Sequence, residues 1–272
     1  ADYERWWKLG YGRGDGANYK PWIRVQDFPN NLTTSFRVAG ADSETETHAL
    51  SPGEKDVANL LQHLRIPYQE QKPLYPLPEV QALAKALGIR YPHLSNGTPA
   101  VLTFDFLLPS PSPFLPSGPV ALQYKVSSTF GSGPHLERDL EKLELYRRYA
   151  VMRGYCMYLL DERLLSDHVS KTLRNLKQCS QLPAELSESD CLDAALRAFT
   201  EHCDTDWTVR QIRDALAAKL SLPAGAALKL FKHILWERQL SFDLNAEFDL
   251  HLPVAGLRKP HQLISASSSK AA

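Results

Sequence analysis

The sequence predicts an α/β fold: a mixed sheet flanked by helices, followed by a mostly helical second domain. Three observations carry that prediction. Two β-rich runs, 101–108 and 120–126, are joined by a Pro/Ser/Gly-rich loop, which is the pattern of a hairpin. Amphipathic helical patterns lie on either side of this hairpin, and a further apolar run, 155–160, follows the second of them. Beyond Leu160 the periodicity is helical almost throughout.

A chain of 272 residues holds one large domain or two medium ones. The change of texture divides it into an α/β domain over 1–163, a helical domain over 164–264 and a low-complexity tail over 265–272, expected to be disordered. No apolar run approaches the length of a membrane span, and no membrane partner is expected. No cleavable signal pattern is found near Trp6 and Trp7, which sit among charges. Cys156, Cys179, Cys191 and Cys203 are widely spaced and form no C-x-x-C pair, so they read as buried thiols in a reducing cytosol rather than a zinc ribbon. Nine histidines show no metal-ligand spacing.

Charge is balanced in both parts. Residues 1–165 carry 18 basic and 18 acidic residues, and 166–272 carry 13 of each. A protein that grips nucleic acid unaided usually has a basic excess. Tight autonomous DNA binding is therefore not expected.

In chain order, glycines 10, 12, 14 and 16 mark a loop that follows Trp6 and Trp7. It lacks the strand and helix of a dinucleotide fingerprint. It reads either as a backbone approach to phosphate, with Arg13 beside it, or as a surface turn. Trp22–Val25 and Ser35–Val38 read as short strands. Residues 51–64 form a helix, because Ser51-Pro52-Gly53-Glu54 is an S-x-x-E capping box with proline at the first helical position. Val57, Leu60, Leu61 and Leu64 are its apolar stripe. Glu54 is either the capping glutamate alone or an acid flanking the stripe that reaches a site at the core's edge.

Tyr68–Lys72 reads as a strand ended by Pro73, and Glu79–Leu87 as a short helix closed by Gly88. After the hairpin, Pro134–Met152 reads as a helix with Leu136, Leu140 and Leu143 in the core, a salt-bridged outer face and Gly154 at its C-terminal cap. Tyr155–Leu160 is the last strand of this domain.

The hairpin carries the chemistry. Asp105 is the single acid of its first run, and Gln123 and Lys125 stand two apart in the second, so they share a face of a strand. If the strands pair, Asp105 meets them there. A carboxylate, an amide oxygen and an ammonium at one spot can hold a hard divalent metal and a phosphate. That spacing is the spacing of a metal-dependent nuclease core. The alternative is a structural hairpin whose polar residues face water. The order of elements and the polar cluster together match a restriction-endonuclease-like core.

In the second domain, 161–200 is helical with a break at 180–187. Thr208–Leu220 and a helix reaching about Gln239 follow, joined by a turn at Ser221–Gly225, with Leu228, Phe231, Ile234 and Leu235 inside. Leu240–Leu244 and Glu247–Leu252 read as a hairpin. Helix, turn, helix, hairpin is the winged-helix arrangement. Its second helix offers Lys229, Lys232, His233 and Arg238, opposed by Glu237, a weak charge that suits protein docking better than a DNA groove.

Several stretches within 10–160 carry a family resemblance. They are G-R-G-D-G, Y-K-P-W and V-Q within 12–26, H-A-L-S-P-G-E at 48–54, E-Q-K-P-L at 70–74, T-F-D-F-L at 103–107, L-Q-Y-K at 122–125 and L-E-K-L-E-L-Y-R-R-Y at 140–149. On these the chain resembles the TnsA-type endonucleases of heteromeric cut-and-paste transposons. The second domain matches only in outline.

The resemblance implies that Glu54 is the helix-borne catalytic glutamate, Asp105 the metal-binding aspartate, Gln123 the amide that replaces the superfamily's usual acid, and Lys125 the catalytic lysine. Tyr146 stands where relatives have an acid and is given no catalytic role. The expected cofactor is Mg²⁺, with Mn²⁺ as a substitute, held by Glu54, Asp105, Gln123 and the Tyr124 carbonyl. The implied substrate is transposon-end DNA cut on the 5′ strand. The implied partners are a DDE transposase subunit and an AAA+ ATPase regulator, and the implied location is the bacterial cytoplasm, at the nucleoid. Electroneutrality adds the expectation that the chain is nearly inert alone. The segment Pro253–Ile264, with hydrophobic and basic residues interleaved, is expected to dock on the ATPase.

Overall fold

The computed structural model describes residues 2–24, 36–39, 46–109, 118–131, 135–203, 205–240, 242–245, 249–251, 253 and 257. The chain divides into two compact units, 1–164 and 165–272.

The first unit is a mixed α/β structure. Helix α1 (Asp2–Lys8) precedes the glycine-rich segment, and β1 (Phe36–Ala39) pairs antiparallel with β2 (Glu46–Ala49). Helix α2 (Pro52–His63) leads to β3 (Gln69–Pro73) and α3 (Leu77–Ala86). The hairpin strands β4 (Thr103–Leu108) and β5 (Val120–Tyr124) follow, then α4 (Leu136–Met152) and β6 (Cys156–Leu160). The four-stranded sheet runs β3-β4-β5-β6, antiparallel at its first two contacts and parallel at β5–β6.

Both faces of this sheet are covered. Phe106, Leu108, Val120 and Leu122 pack on Val57, Ala58 and Leu61 of α2. Phe104, Leu107 and Ala121 pack on Val80 and Ala84 of α3 and on Leu145, Tyr146, Tyr149 and Ala150 of α4. The Tyr149 hydroxyl accepts from the Tyr75 N–H at 3.0 Å and donates to the Tyr75 carbonyl at 2.8 Å, tying α4 to the start of α3.

The capped helix, both hairpin strands and the strand after α4 form where the sequence places them, and Gly154 ends α4 with φ of 71°. Other expectations need correction. Trp22 and Ile23 sit in a bend and no strand includes 22–24; Val25 and Ser35 lie outside the described residues. Strand β2 had no counterpart in the sequence reading. Pro73 is the last residue of β3, as expected, and still pairs with Thr103.

Of the expected leucine stripe of α4, Leu143 packs against the core but Leu136 and Leu140 do not. Leu140 is 49% exposed, whereas Leu145, Tyr146, Tyr149 and Ala150 are buried. Leu136 and Leu140 instead line a surface groove of about 540 Å³ with Leu87 and Ile89. Aromatic rings supply the inward volume, because Phe104 packs with Tyr146 and Tyr149 at centroid distances of 5.6 and 6.1 Å. The outer face is salt-bridged as expected, with Glu144 bound by Arg147 and Arg148 at 2.7 Å each. Cys156 is exposed on β6 rather than buried, and all four cysteines are free thiols.

The glycine-rich loop is a strap along the outer edge of β3. The Lys72 ammonium donates to the Gly12 carbonyl at 2.9 Å, and the Gln69 amide to the Gly14 carbonyl and to Asp15, both at 2.9 Å. The Tyr19 hydroxyl donates to the Glu70 carbonyl at 2.9 Å. Covering an edge strand in this way removes a row of open backbone groups. Gly12 has φ of 72°, and a Cβ there would lie 2.4 Å from Pro73, so only glycine lets the strap approach so closely.

The second unit packs α5 (Asp167–Lys177), α6 (Ser189–Glu201) and α7 (Val209–Leu220) against α8 (Ala224–Trp236). Thr208 and Gln211 form a reciprocal capping box at α7. Helix α8 is central: Ala227, Leu230, Phe231, Ile234, Leu235 and Trp236 are all buried. Two of its supposed surface cations turn inward as a result. The Lys232 ammonium binds Asn175 Oδ1 at 2.7 Å, and His233 Nδ1 lies 2.7 Å from the Cys179 carbonyl. Among the described residues of 240–253, no hairpin forms. Pro253 bridges Thr208, and the Arg210 N–H donates to the Leu250 carbonyl at 2.8 Å. Residues 241, 246–248 and 252 of the expected wing, all of the tail at 265–272, and most of 253–264 lie outside the described residues. No helix among the described residues is long and apolar enough to cross a membrane.

The inward face of α4 gives a stability test. Leu145→Ala should cost about 2–5 kcal/mol by leaving a cavity, whereas Leu140→Ala should stay within about 0.5 kcal/mol. Urea unfolding of both variants measures the difference, and equal costs would mean that the helix is rotated from the orientation described.

Candidate functional site

The polar residues singled out from the sequence come together at one end of the hairpin. In the β4–β5 register Phe106 faces Leu122, so one step along Asp105 stands opposite Gln123. Both are buried, at 7% and 3% exposure. The Tyr124 N–H donates to Asp105 Oδ2 at 2.6 Å, and the Gln123 side chain also hydrogen-bonds to Asp105. Lys125 follows the end of β5, half exposed, with its backbone N–H held by the Leu160 carbonyl at 2.9 Å. Its charge acts on both Asp105 and Glu54.

Glu54 arrives from the first turn of α2. Ser51 caps the helix, its hydroxyl accepting from the Glu54 N–H at 3.2 Å. The Glu54 carboxylate does not complete the reciprocal half of the capping box but takes other partners. Oε2 accepts from the Leu50 N–H at 3.0 Å and the Gln71 amide at 3.2 Å, and Oε1 accepts from the Ser51 hydroxyl at 3.0 Å. A carboxylate has about four acceptor positions. Three are taken among the described residues, so Oε1 keeps a lone pair for another partner.

Gly53 permits this approach. A Cβ at Gly53 would lie 2.0 Å from the Tyr124 ring, so the ring rests directly on the helix beside Glu54. The motifs S-P-G-E and E-Q-K-P-L held Gly53 and Gln71 in plain view, but spacing alone gave neither a role.

Burial and mutual repulsion dominate the electrostatics. Burial first, and then the Glu54 charge, push the Asp105 carboxyl up to about 8; the Tyr124 N–H, Lys125 and Gln123 act against this. Burial also raises Glu54, opposed by the Leu50 N–H, Ser51 and Lys125. Two acids are thus held in a place that resists their charge, with a lysine nearby that only partly offsets it.

Gln123 Oε1 is buried and has no hydrogen-bond partner among the described residues. Leaving a buried acceptor unsatisfied costs about 1–3 kcal/mol, and a hard cation would satisfy it. No three His, Cys, Asp or Glu side chains converge on a metal position among the described residues. The available donor set is two carboxylates and this amide oxygen. Such an all-oxygen set fits Mg²⁺ or Mn²⁺ and not a thiolate- or imidazole-seeking metal.

The comparisons agree with the motif resemblance. Over 168 residues the chain is 29% identical to the transposition protein TnsA of transposon Tn7 from Escherichia coli, covering 61% of this chain. This chain is similar to a TnsA-type transposition protein. It spans 58% of the length of that relative. No family model matches the chain.

The raised Asp105 predicts a pH effect with a definite sign. The metal-free folded chain holds this proton up to about pH 8, while the unfolded chain releases it near the ordinary 3.8. The contribution to stability is therefore full below the unfolded value and is lost as pH rises toward 8. Asp105→Asn keeps an acceptor for the Tyr124 N–H and removes the titration. In chelator, it should melt several degrees above the wild type at pH 8, with the gap closing toward pH 4. A constant gap across that range would contradict the burial of this charge.

Proposed function

We propose that this chain is a TnsA-type, Mg²⁺-dependent DNA endonuclease with a restriction-endonuclease-like catalytic domain, cutting the 5′ strands at transposon ends during cut-and-paste transposition. The observation that carries this reading is the buried, unsatisfied Gln123 Oε1 opposite Asp105, with Glu54 and Lys125 acting on the same point, in a chain similar to TnsA.

Asp105, Glu54, Gln123 through Oε1, and the Tyr124 carbonyl would hold Mg²⁺, with Mn²⁺ as a substitute. Such an ion, when bound, supplies Lewis acidity, which makes water a competent nucleophile near neutral pH and offsets charge on phosphoryl oxygens. The chain's own groups divide the remaining work. Gln123 gives a neutral donor where a third carboxylate would add to the repulsion that already raises Asp105. The donors to Glu54 fix its carboxylate so that no reorganisation is needed as charge develops. Lys125 orients the attacking water and stabilises the charge gathering on the scissile phosphate.

In this reading a DDE transposase subunit cuts the 3′ strand and an AAA+ ATPase regulator joins the assembly. The balance of 31 basic and 31 acidic residues supports dependence on partners for DNA affinity. So does α8, whose Lys232 and His233 are spent on contacts inside the second unit. That unit, read as a winged-helix module, suits protein docking.

The test is cleavage of a 5′-labelled transposon end in Mg²⁺, with and without the partner transposase. Wild-type chain should cut only with the partner. Asp105→Ala should abolish cutting, and Glu54→Gln should nearly abolish it while costing at most about 1 kcal/mol of stability, since Gln also serves in a capping box. Lys125→Ala should lose cutting and keep metal binding. Efficient cutting by the chain alone would make it a stand-alone restriction or repair nuclease. Undiminished transposition with Asp105→Ala would make it a non-catalytic assembly protein.

A further inference from the structure

Gln71 lies in the middle of β3 with φ of 47°, a left-handed backbone conformation inside a strand. A side chain that is neither Gly nor Asn meets a steric cost there, and such outliers persist only when their surroundings hold them. Three contacts hold this one. The Gln71 carbonyl accepts from the Trp22 N–H at 3.3 Å, at the end of the glycine-rich strap. Its side-chain Oε1 accepts from the Thr103 hydroxyl at 2.9 Å. Its Nε2 donates to Glu54 Oε2 at 3.2 Å. Gln71 and Thr103 are both buried, at 2% and 7% exposure.

The two side-chain contacts together fix which way the amide faces. The Glu54 carboxylate accepts from Nε2, and the Thr103 hydroxyl then donates to Oε1 and holds the amide in that orientation. Gln71 thereby occupies Oε2 from the strand side while Leu50 occupies it from the helix side, and the open lone pair is left on Oε1. A backbone contortion in the strand next to the hairpin is thus spent on the aim of one carboxylate.

We propose that Gln71, oriented by Thr103, is a positioning residue that sets the aim of Glu54 toward the metal position. This rests on the nuclease reading given above, and it adds to it a group that touches neither metal nor DNA. Outer partners of metal ligands commonly change metal affinity by about 10–100-fold when removed.

Gln71→Asn separates this role from a purely structural one. Asn tolerates the left-handed conformation better than Gln, which offsets part of the cost of the lost contacts to Glu54 and Thr103, so the variant should stay folded. Its amide is one methylene too short to reach Glu54. Calorimetric titration of the full chain with Mn²⁺ should show binding weakened about tenfold or more. Thr103→Val, which removes the orienting hydroxyl, should weaken Mn²⁺ in the same direction, and Thr103→Ser should restore it. In the Gln71→Asn, Thr103→Val double variant the losses should not add, because both act through the same amide. Wild-type Mn²⁺ affinity in Gln71→Asn, or equal affinities for Thr103→Val and Thr103→Ser, would overturn the proposal while leaving the nuclease reading intact. A wild-type chain that binds no Mn²⁺ would overturn the metal reading and this inference with it.

Discussion

Two carboxylates buried within reach of each other's charge are the constraint on which the first unit is built. Glu54 and Asp105 are both raised by burial, and the Glu54 charge raises Asp105 further. Burying one unpaired charge is costly, and two like charges cost more. The surrounding structure mitigates this cost without abolishing it. Backbone N–H groups of Leu50 and Tyr124, the Ser51 hydroxyl, the Gln71 amide and the Lys125 charge each act on one or both acids. The remaining imbalance, together with the Gln123 oxygen that has no partner among the described residues, is what a divalent cation would offset in the proposed reading.

The fold serves that arrangement at several removes. The hairpin register sets Asp105 against Gln123, and the cap of α2 brings Glu54 to the same place. Gly53 lets the Tyr124 ring lie on the helix, and the Tyr124 N–H reaches Asp105. The glycine-rich strap closes the β3 edge, and at its end the Trp22 N–H holds the Gln71 carbonyl. The two apolar layers, one under α2 and one under α3 and α4, fix these elements on a common sheet.

Much of this was legible in the sequence, for local reasons. The hairpin, the capped helix and the glycine after α4 follow from short-range chemistry: alternation, an S-x-x-E box and a left-handed C-terminal cap. Asp105, Gln123 and Lys125 could be paired because strand geometry relates residues at fixed spacing. Glu54 could not be separated from its capping role, since its contacts to Gln71 and Lys125 are long-range. Gln71 was hidden for the same reason, because nothing local announces a left-handed residue in a strand. Of the expected α4 leucines, Leu143 reaches the core but Leu136 and Leu140 do not, because the aromatic side chains of Tyr146 and Tyr149 fill it. The cations of α8 were counted as surface charges because its central position among three helices depends on packing that periodicity does not report.

The central claim, that a buried acid pair in which Asp105 holds a proton is completed by a metal ion, has a direct measurement in proton release. Mn²⁺ binding to the full chain can be followed by calorimetry at pH 7 in buffers of differing ionisation enthalpy. With Asp105 at about 8, metal binding should expel close to one proton per ion, because ligands must be deprotonated to bind. Release should fall toward zero in Asp105→Asn. Tight binding by the wild type with no proton released would show that the acids are already ionised, and the account of this site would fail.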